Sequence, residues 1–360
     1  MRYVLALAAL AMLAACAAPE PKLTLARADY ASLPGWPEDD HAEALRAFRR
    51  SCDHFMPKPD EAPMGKGLLA SRLGEWKPAC AAAMQTDDTS ARQFFEAQFV
   101  PFRAGNRGRE QGLFTGYYEP LLAGSLQPDE RYRVPVYGVP PELSSDPYFT
   151  RAEIDAGALA GRNLELAWVD DPVALFFTHI QGSGRIALED GSVVRIGYAG
   201  KNNRAYVALG KVLKDEGELP PDDFNLFTIR NWLITHPERA AQMMQRNPSY
   251  VFFRILQGEG PVGAQGAVLT PGRSLAVDPR FIPYGIPVFL MTSLPQTAYA
   301  PAGDFHRLMI AQDTGGAIRG PVRGDIFFGA DAQAEALAGI MKNQGAYALL
   351  VPNPVAERLP

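Results

Sequence analysis

The sequence predicts a mainly β fold with flanking helices, and two observations carry that prediction. Short runs rich in β-branched and aromatic residues recur from Gly112 onward, among them "GLFTGYYEPLLAG", "RVPVYGV", "SVVRIGYAG" and "YVFFRIL". Gly, Pro or Asp bounds each run, and these residues end strands by supplying turn conformations or withholding a ladder donor. The 33 Gly and 31 Pro fall largely between such runs, which favours an antiparallel or barrel-like core over a doubly wound α/β sheet. With 360 residues, 47% hydrophobic and 21% charged, the chain can bury two cores and has no signature of wholesale disorder.

The elements follow in order. Arg2 precedes an apolar run from Val4 to Ala15, too short to span a bilayer and suited to a signal peptide. The run ends in "LAAC", small residues before Cys16, and resembles a bacterial lipobox. Residues 1–16 are thus expected to be a lipoprotein signal with Cys16 lipidated, and 17–26 a tether. Ala17 in place of Asp implies an outer-membrane protein, lipid-anchored and facing the periplasm. Two amphipathic helices come next, one begun by Asp39 or Asp40 and one by a capping-box pattern of Ser90 and Gln93. Cys52 and Cys80 remain as an even pair, which fits either a disulfide or two buried thiols.

Strands are expected from Gly112, including "ALFFTHIQGSGRIAL", before the helices "NRAYVALGKVLKDEG" and Thr228 to Arg246. Strands then resume with "YVFFRIL", "AVLT", "SLAVD", "IPVFL", "LMIAQD" and "DIFFG". The helix "ADAQAEALAGIMKN" and the strand "GAYALLV" complete the chain. Turn-rich stretches near 135–147 and 245–250 both lie inside the β-rich part, so one domain is expected to be inserted in another.

Composition also excludes chemistry. A formal charge of −5 without a Lys/Arg cluster gives no footprint for nucleic acid. His41, His54, His179, His236 and His306 have no ligand spacing, so no metal site is expected. No GxSxG elbow, P-loop or strand-linked GxGxxG is present, and no cofactor is expected. Carboxylates remain. Asp278, Asp313 and Asp325 each stand in a Gly/Pro-rich turn at a strand end. Asp278 and Asp313 also suit turns, because an Asp side chain bonds nearby backbone N–H groups. "FTGYYEP" places Tyr117 and Tyr118 on opposite faces of one strand, where one ring can stack on a sugar while the other packs.

"SLAVDPRFIPYGIPVFL", "QDTGGAIRGPVRGD" and "GDIFFG" together resemble the three-aspartate domain of the membrane-bound lytic murein transglycosylase A family. "FTGYYEP", "HIQGSGRI" and "YAGKNNRAY" resemble the segments preceding it. The resemblance implies a double-psi β-barrel joined to a second, inserted β-rich domain, with a glycan groove between them. It divides the chain into a barrel of 27–118 and 248–355, with the N-terminal helices, and an insert of 119–247. It implies cleavage of the β-1,4 bond between N-acetylmuramic acid and N-acetylglucosamine without water, leaving a 1,6-anhydromuramoyl end. The partners would be peptidoglycan strands and, through the lipid on Cys16, the membrane. The family's catalytic acid falls on Asp325, with Asp313 and Asp278 as the supporting acids. Thr115, Gly116, Tyr117, Tyr118, Glu119, Gln181, Gly182, Ser183, Tyr198 and Lys201 fall on the substrate-binding segments. One acid suffices in such a reaction because the muramoyl C6 hydroxyl is the nucleophile. Ile326, Phe327 and Phe328 supply an apolar surround to raise the pKa of Asp325 by desolvation. Arg319 and Arg323 could hold a carboxylate or the muramoyl lactyl group, but solvated arginines are the leading expectation. A hydrolase using Asp325 and Asp313 as a pair, and a glycan-binding lipoprotein without turnover, are the competing readings.

Overall fold

The computed structural model describes residues 19–220, 225–258 and 260–360. Cys16 and the signal segment lie outside them. Along the chain the strands are β1 (Leu23–Arg27), β2 (Pro63–Met64), β3 (Ser71–Arg72), β4 (Phe99–Asn106) and β5 (Gly112–Tyr117). Next come β6 (Leu121–Ser125), β7 (Val134–Tyr137), β8 (Glu165–Val169), β9 (Ser183–Ala187), β10 (Val193–Lys201) and β11 (Val251–Leu256). The last are β12 (Ser274–Ala276), β13 (Pro287–Leu294), β14 (Gly303–Asp313), β15 (Arg323–Phe327) and β16 (Lys342–Pro352).

Six of these close a barrel in the order β16-β13-β14-β12-β15-β5, with β16 returning to pair β5. Two of its pairings, β12–β14 and β15–β5, are parallel and the others antiparallel, the mixed pattern of a double-psi barrel. Side chains alternate between its faces. Phe114, Leu275, Ile326, Val288 and Leu349 therefore fill the interior, in one core with the N-terminal helices. The far half of β16 pairs with β4, and β4 with β1, extending the wall.

The helix His41–Phe55 packs on this barrel through Ala44, Leu45, Phe48, Cys52 and Phe55, at helical spacing. Asp40 caps it by accepting from the Glu43 N–H. A disulfide between Cys52 and Cys80 ties it to the helix Lys77–Gln85. Ser90, by contrast, makes no capping bond at the helix Ala91–Gln98, so the expected capping box is absent.

The second sheet runs β11-β10-β9-β6-β8-β7 and is inserted between β5 and β12 of the barrel. Because β11 pairs with β10, this domain extends beyond the expected end at 247. Four local expectations fail. "ALFFTHI" is not a strand: Asp171 accepts from the Val173 and Ala174 N–H groups, Pro172 opens a helix through Gln181, and Gly182 ends it at φ 81°. The helix expected from Thr228 to Arg246 is two, Leu226–Thr235 and Pro237–Gln245, since Pro237 withholds the donor needed to continue the first. The helix expected from Asn203 begins only at Leu209, because Asn202 is buried and bonds the carbonyls of Phe149 and Pro248. "AVLT" contributes one bridge, Val262 with Val268, rather than a strand.

Candidate functional site

Three adjacent strands bring two of the three aspartates together. Ala276 on β12 pairs with Asp313 on β14 to one side and with Asp325 on β15 to the other. Asp325 in turn pairs with Thr115 on β5. Directly paired residues project to one face, so Asp313, Asp325 and Thr115 form a row with the small Ala276 in its middle. Two strand spacings, about 10 Å, separate the two aspartate backbones. Below the row, Tyr117, Leu269, Ala276, Ile318 and Phe327 form a small apolar cluster distinct from the barrel core. Phe327 therefore shares the face of Asp325, whereas Ile326 points into the barrel and cannot surround the carboxyl as expected.

Each acid has its own surroundings. Asp325 Oδ1 accepts one hydrogen bond, from the Thr115 hydroxyl. Arg323 Nη2 donates to the same Thr115 Oγ1 at 2.8 Å, so the threonine's own proton is free to be given to Asp325. Burial raises the pKa of Asp325 above the usual range, although the Arg323 charge and the Thr115 bond oppose it. Asp313 accepts three: from the Tyr117 hydroxyl at 2.8 Å, Ala264 N–H at 2.9 Å and Thr314 N–H at 2.8 Å. Burial still pushes it up to about 6, against those donors and with the charge of Asp325 adding to the rise. Asp278 is fully buried at the turn after β12 and accepts from Arg280 N, Nε and Nη2 and from Gly320 N–H. Burial works to raise its pKa too, but the Arg280 guanidinium and the two backbone N–H groups prevail and hold it below the usual range.

The other expected site residues divide. Thr115 lies in the aspartate row and Tyr117 in the apolar cluster below it, each bonded to one of the two acids. Tyr118 points the other way and gives its hydroxyl to Glu335 at 3.1 Å. Both tyrosines are buried, so neither ring is an open stacking platform. Tyr118 lines a cavity of about 260 Å³ between barrel and insert, with Phe177, Arg185, Arg230 and Glu335. Glu119 is 1% exposed and paired with Arg195 at 3.1 Å and Arg185 at 3.6 Å, so it is tied to β10 and β9 of the insert rather than facing solvent. Gly116 is a packing position: a Cβ there would lie 2.3 Å from the Phe328 ring. Gln181 accepts from Tyr118 N–H, Gly182 is a helix end, and Ser183 is buried in β9. Tyr198 and Lys201 stand exposed on β10.

Arg323, expected to be solvated or to hold a carboxylate, is partly buried and donates to Thr115. Sequence reasoning missed Ala264, whose backbone reaches Asp313 across 49 positions of sequence. It has no sequence signal, because a backbone N–H acts only where the closed fold brings it.

Two family models match the chain: the MltA specific insert domain over residues 113–254 and the 3D domain over 273–351. A membrane-bound lytic murein transglycosylase A of Vibrio cholerae is 34% identical over 282 residues, 77% of this chain and 73% of that protein. Its Escherichia coli K12 counterpart is 36% identical over 274 residues, 75% of this chain and 73% of that protein. The crystal structure of a membrane-bound lytic murein transglycosylase from Agrobacterium tumefaciens superposes with a TM-score of 0.84 at 35% identity, covering 93% of this chain and 99% of that one. An E. coli MltA structure with bound chitohexaose superposes with a TM-score of 0.69 at 27% identity, covering 93% of both chains. On this agreement of fold, length and sequence, the chain belongs to the membrane-bound lytic murein transglycosylase A family.

Proposed function

We propose that the protein is a peptidoglycan lytic transglycosylase in which Asp325 alone serves as general acid and then general base. The observation that carries this reading is the carboxyl of Asp325, pushed up by burial and bonded through only one oxygen. With Oδ1 accepting from Thr115, the acid's proton resides on Oδ2 and is available to a substrate. Asp325 Oδ2 gives it to the glycosidic oxygen as the bond to muramoyl C1 breaks. The muramoyl C6 hydroxyl closes on C1, and its proton passes to the carboxylate of Asp325. No water is consumed, and the acid ends as it began. Asp313 is poorly suited to be a second catalytic carboxylate, since three protein donors already occupy it and retaining glycosidases need a pair about 5 Å apart.

The glycan lies in the groove between barrel and insert on this reading, and a relative with bound chitohexaose supports glycan binding as such. Lipidation of Cys16 anchors the chain to the outer membrane, facing the periplasm. The Cys52–Cys80 disulfide suits that oxidising compartment.

Digestion of purified sacculi with wild type and Asp325→Asn, followed by mass spectrometry, tests the proposal. Wild type releases muropeptides with anhydro ends, and Asp325→Asn falls by about 10³-fold or more while remaining folded. Muropeptides heavier by one water support a hydrolase instead. The pH profile discriminates further: a single starting acid gives one limb, falling as pH rises, whereas an acid–base pair gives a bell.

A further inference from the structure

The row that joins Asp313 to Asp325 depends on an irregularity in the β12–β14 ladder. Leu275 pairs with Ala311 and Ala276 pairs with Asp313, so Gln312 has no partner on β12 and forms a bulge. In regular register Gln312 would stand opposite Ala276. Asp313 would then project to the other face, because a one-residue slip reverses every side chain beyond it. The bulge is what puts Asp313 on the face of Asp325.

We propose that Gln312 is a positioning residue for the transglycosylase reaction, its buried side chain holding the bulge that aims Asp313. Its amide is fully buried and bonded at both ends: Oε1 accepts from Ser274 Oγ at 2.6 Å, and Nε2 donates to Ala47 O and Ser51 Oγ, both at 2.9 Å. Ala47 and Ser51 belong to the helix His41–Phe55, so the bulge is fixed to the disulfide-tied N-terminal layer. The chain of bonds continues outward. Ser51 Oγ donates to Gln265 Oε1 at 2.8 Å, and Gln265 N–H donates to the backbone carbonyl of Gln312 at 3.0 Å. The same loop supplies the Ala264 N–H that Asp313 accepts. Gly263 lets it lie this close, since a Cβ there would be 2.5 Å from the Gln312 carbonyl oxygen. A nonpolar residue of similar size would fill the space around Gln312, but it would not select the bulged register over the regular one.

The proposal rests on the reading of Asp325 as the acid, and the test separates the two. Turnover of soluble glycan strands is measured for wild type, Asp325→Asn, Gln312→Met, Gly263→Ala, Asp313→Asn and the double variant Gln312→Met/Asp313→Asn. Melting temperatures are recorded alongside. Gln312→Met lowers kcat about tenfold with KM within about twofold, and Gly263→Ala does the same more weakly. In the Asp313→Asn background, Gln312→Met costs little more, because both act through one carboxylate. Losses that add in full overturn the proposal, as does a folded Gln312→Met with kcat within about twofold of wild type. If Gln312→Met does not fold, Gly263→Ala decides: a folded variant with unchanged kcat overturns the proposal. Full activity in Asp325→Asn sinks the general-acid reading instead, and the Gln312–Asp313 cycle still decides the positioning role.

Discussion

The turn after β12 holds a fully buried aspartate and the middle of β15 a half-buried one, and the two carboxyls are driven in opposite directions. Asp278 accepts from a guanidinium and two backbone N–H groups, which favour its charged form and keep its pKa below the usual range. Asp325 accepts from one hydroxyl and is raised by burial. Desolvation acts on both, and only at Asp278 do the guanidinium and the backbone N–H groups outweigh it. Within one barrel wall, the same residue type is shifted down at one position and up at another by its surroundings.

The largest test of that contrast after Asp325→Asn itself is Asp278→Ala. Removing the carboxylate leaves the Gly320 N–H without its acceptor and opens a buried space. Arg280, already 60% exposed, turns to water at little cost. Denaturant unfolding should show a loss of about 3 kcal/mol, with residual activity tracking the folded fraction. A stable variant that has lost turnover would instead move Asp278 into the catalytic machinery. The sign of the pH effect follows as well. A depressed pKa stabilises above the unfolded value and is lost as pH falls through the folded one, so Asp278→Asn should flatten the acid side of the stability curve.

Asp313 accepts three donors and is raised nonetheless, so its pH dependence has the opposite sign to that of Asp278. Its pKa rises from the ordinary 3.8 to about 6 on folding. The stability linked to its protonation is therefore complete below about pH 4 and is lost as pH rises to about 6. The full shift corresponds to about 2–3 kcal/mol. The wild-type minus Asp313→Asn difference in stability, followed between pH 4 and 7, should decline by up to that amount and then level. A flat difference would mean that Asp313 is charged throughout, and that its donors outweigh its burial as they do at Asp278.

These distinctions were only partly legible in the sequence. The three acids announced themselves by their place in Gly/Pro-rich turns at strand ends, and the β-rich texture of the insert and barrel was plain from local composition. What local composition lacks is partnership. Thr115 meets Asp325 across 210 positions, through a parallel pairing that exists only when the barrel closes. Apolar runs of helix and strand look alike at short length, and "ALFFTHI" was misread although Asp171 and Pro172 mark a helix start. The Gln312 bulge leaves no compositional trace, because a single skipped pairing changes no residue type.

The smallest effect is expected from Tyr117→Phe, and it sharpens the comparison most finely. The substitution deletes one of three donors to Asp313 while keeping the ring, whose centroid lies 5.3 Å from that of Phe327. A neutral hydroxyl to a carboxylate is worth about 1–2 kcal/mol, so kcat should fall several-fold rather than a thousandfold. The donor favours the charged form, so its loss should raise the pKa of Asp313 further. The pH-dependent decline in stability should then extend to higher pH than in wild type. An unchanged pH midpoint in Tyr117→Phe would mean that the Ala264 and Thr314 N–H groups hold Asp313 without the tyrosine.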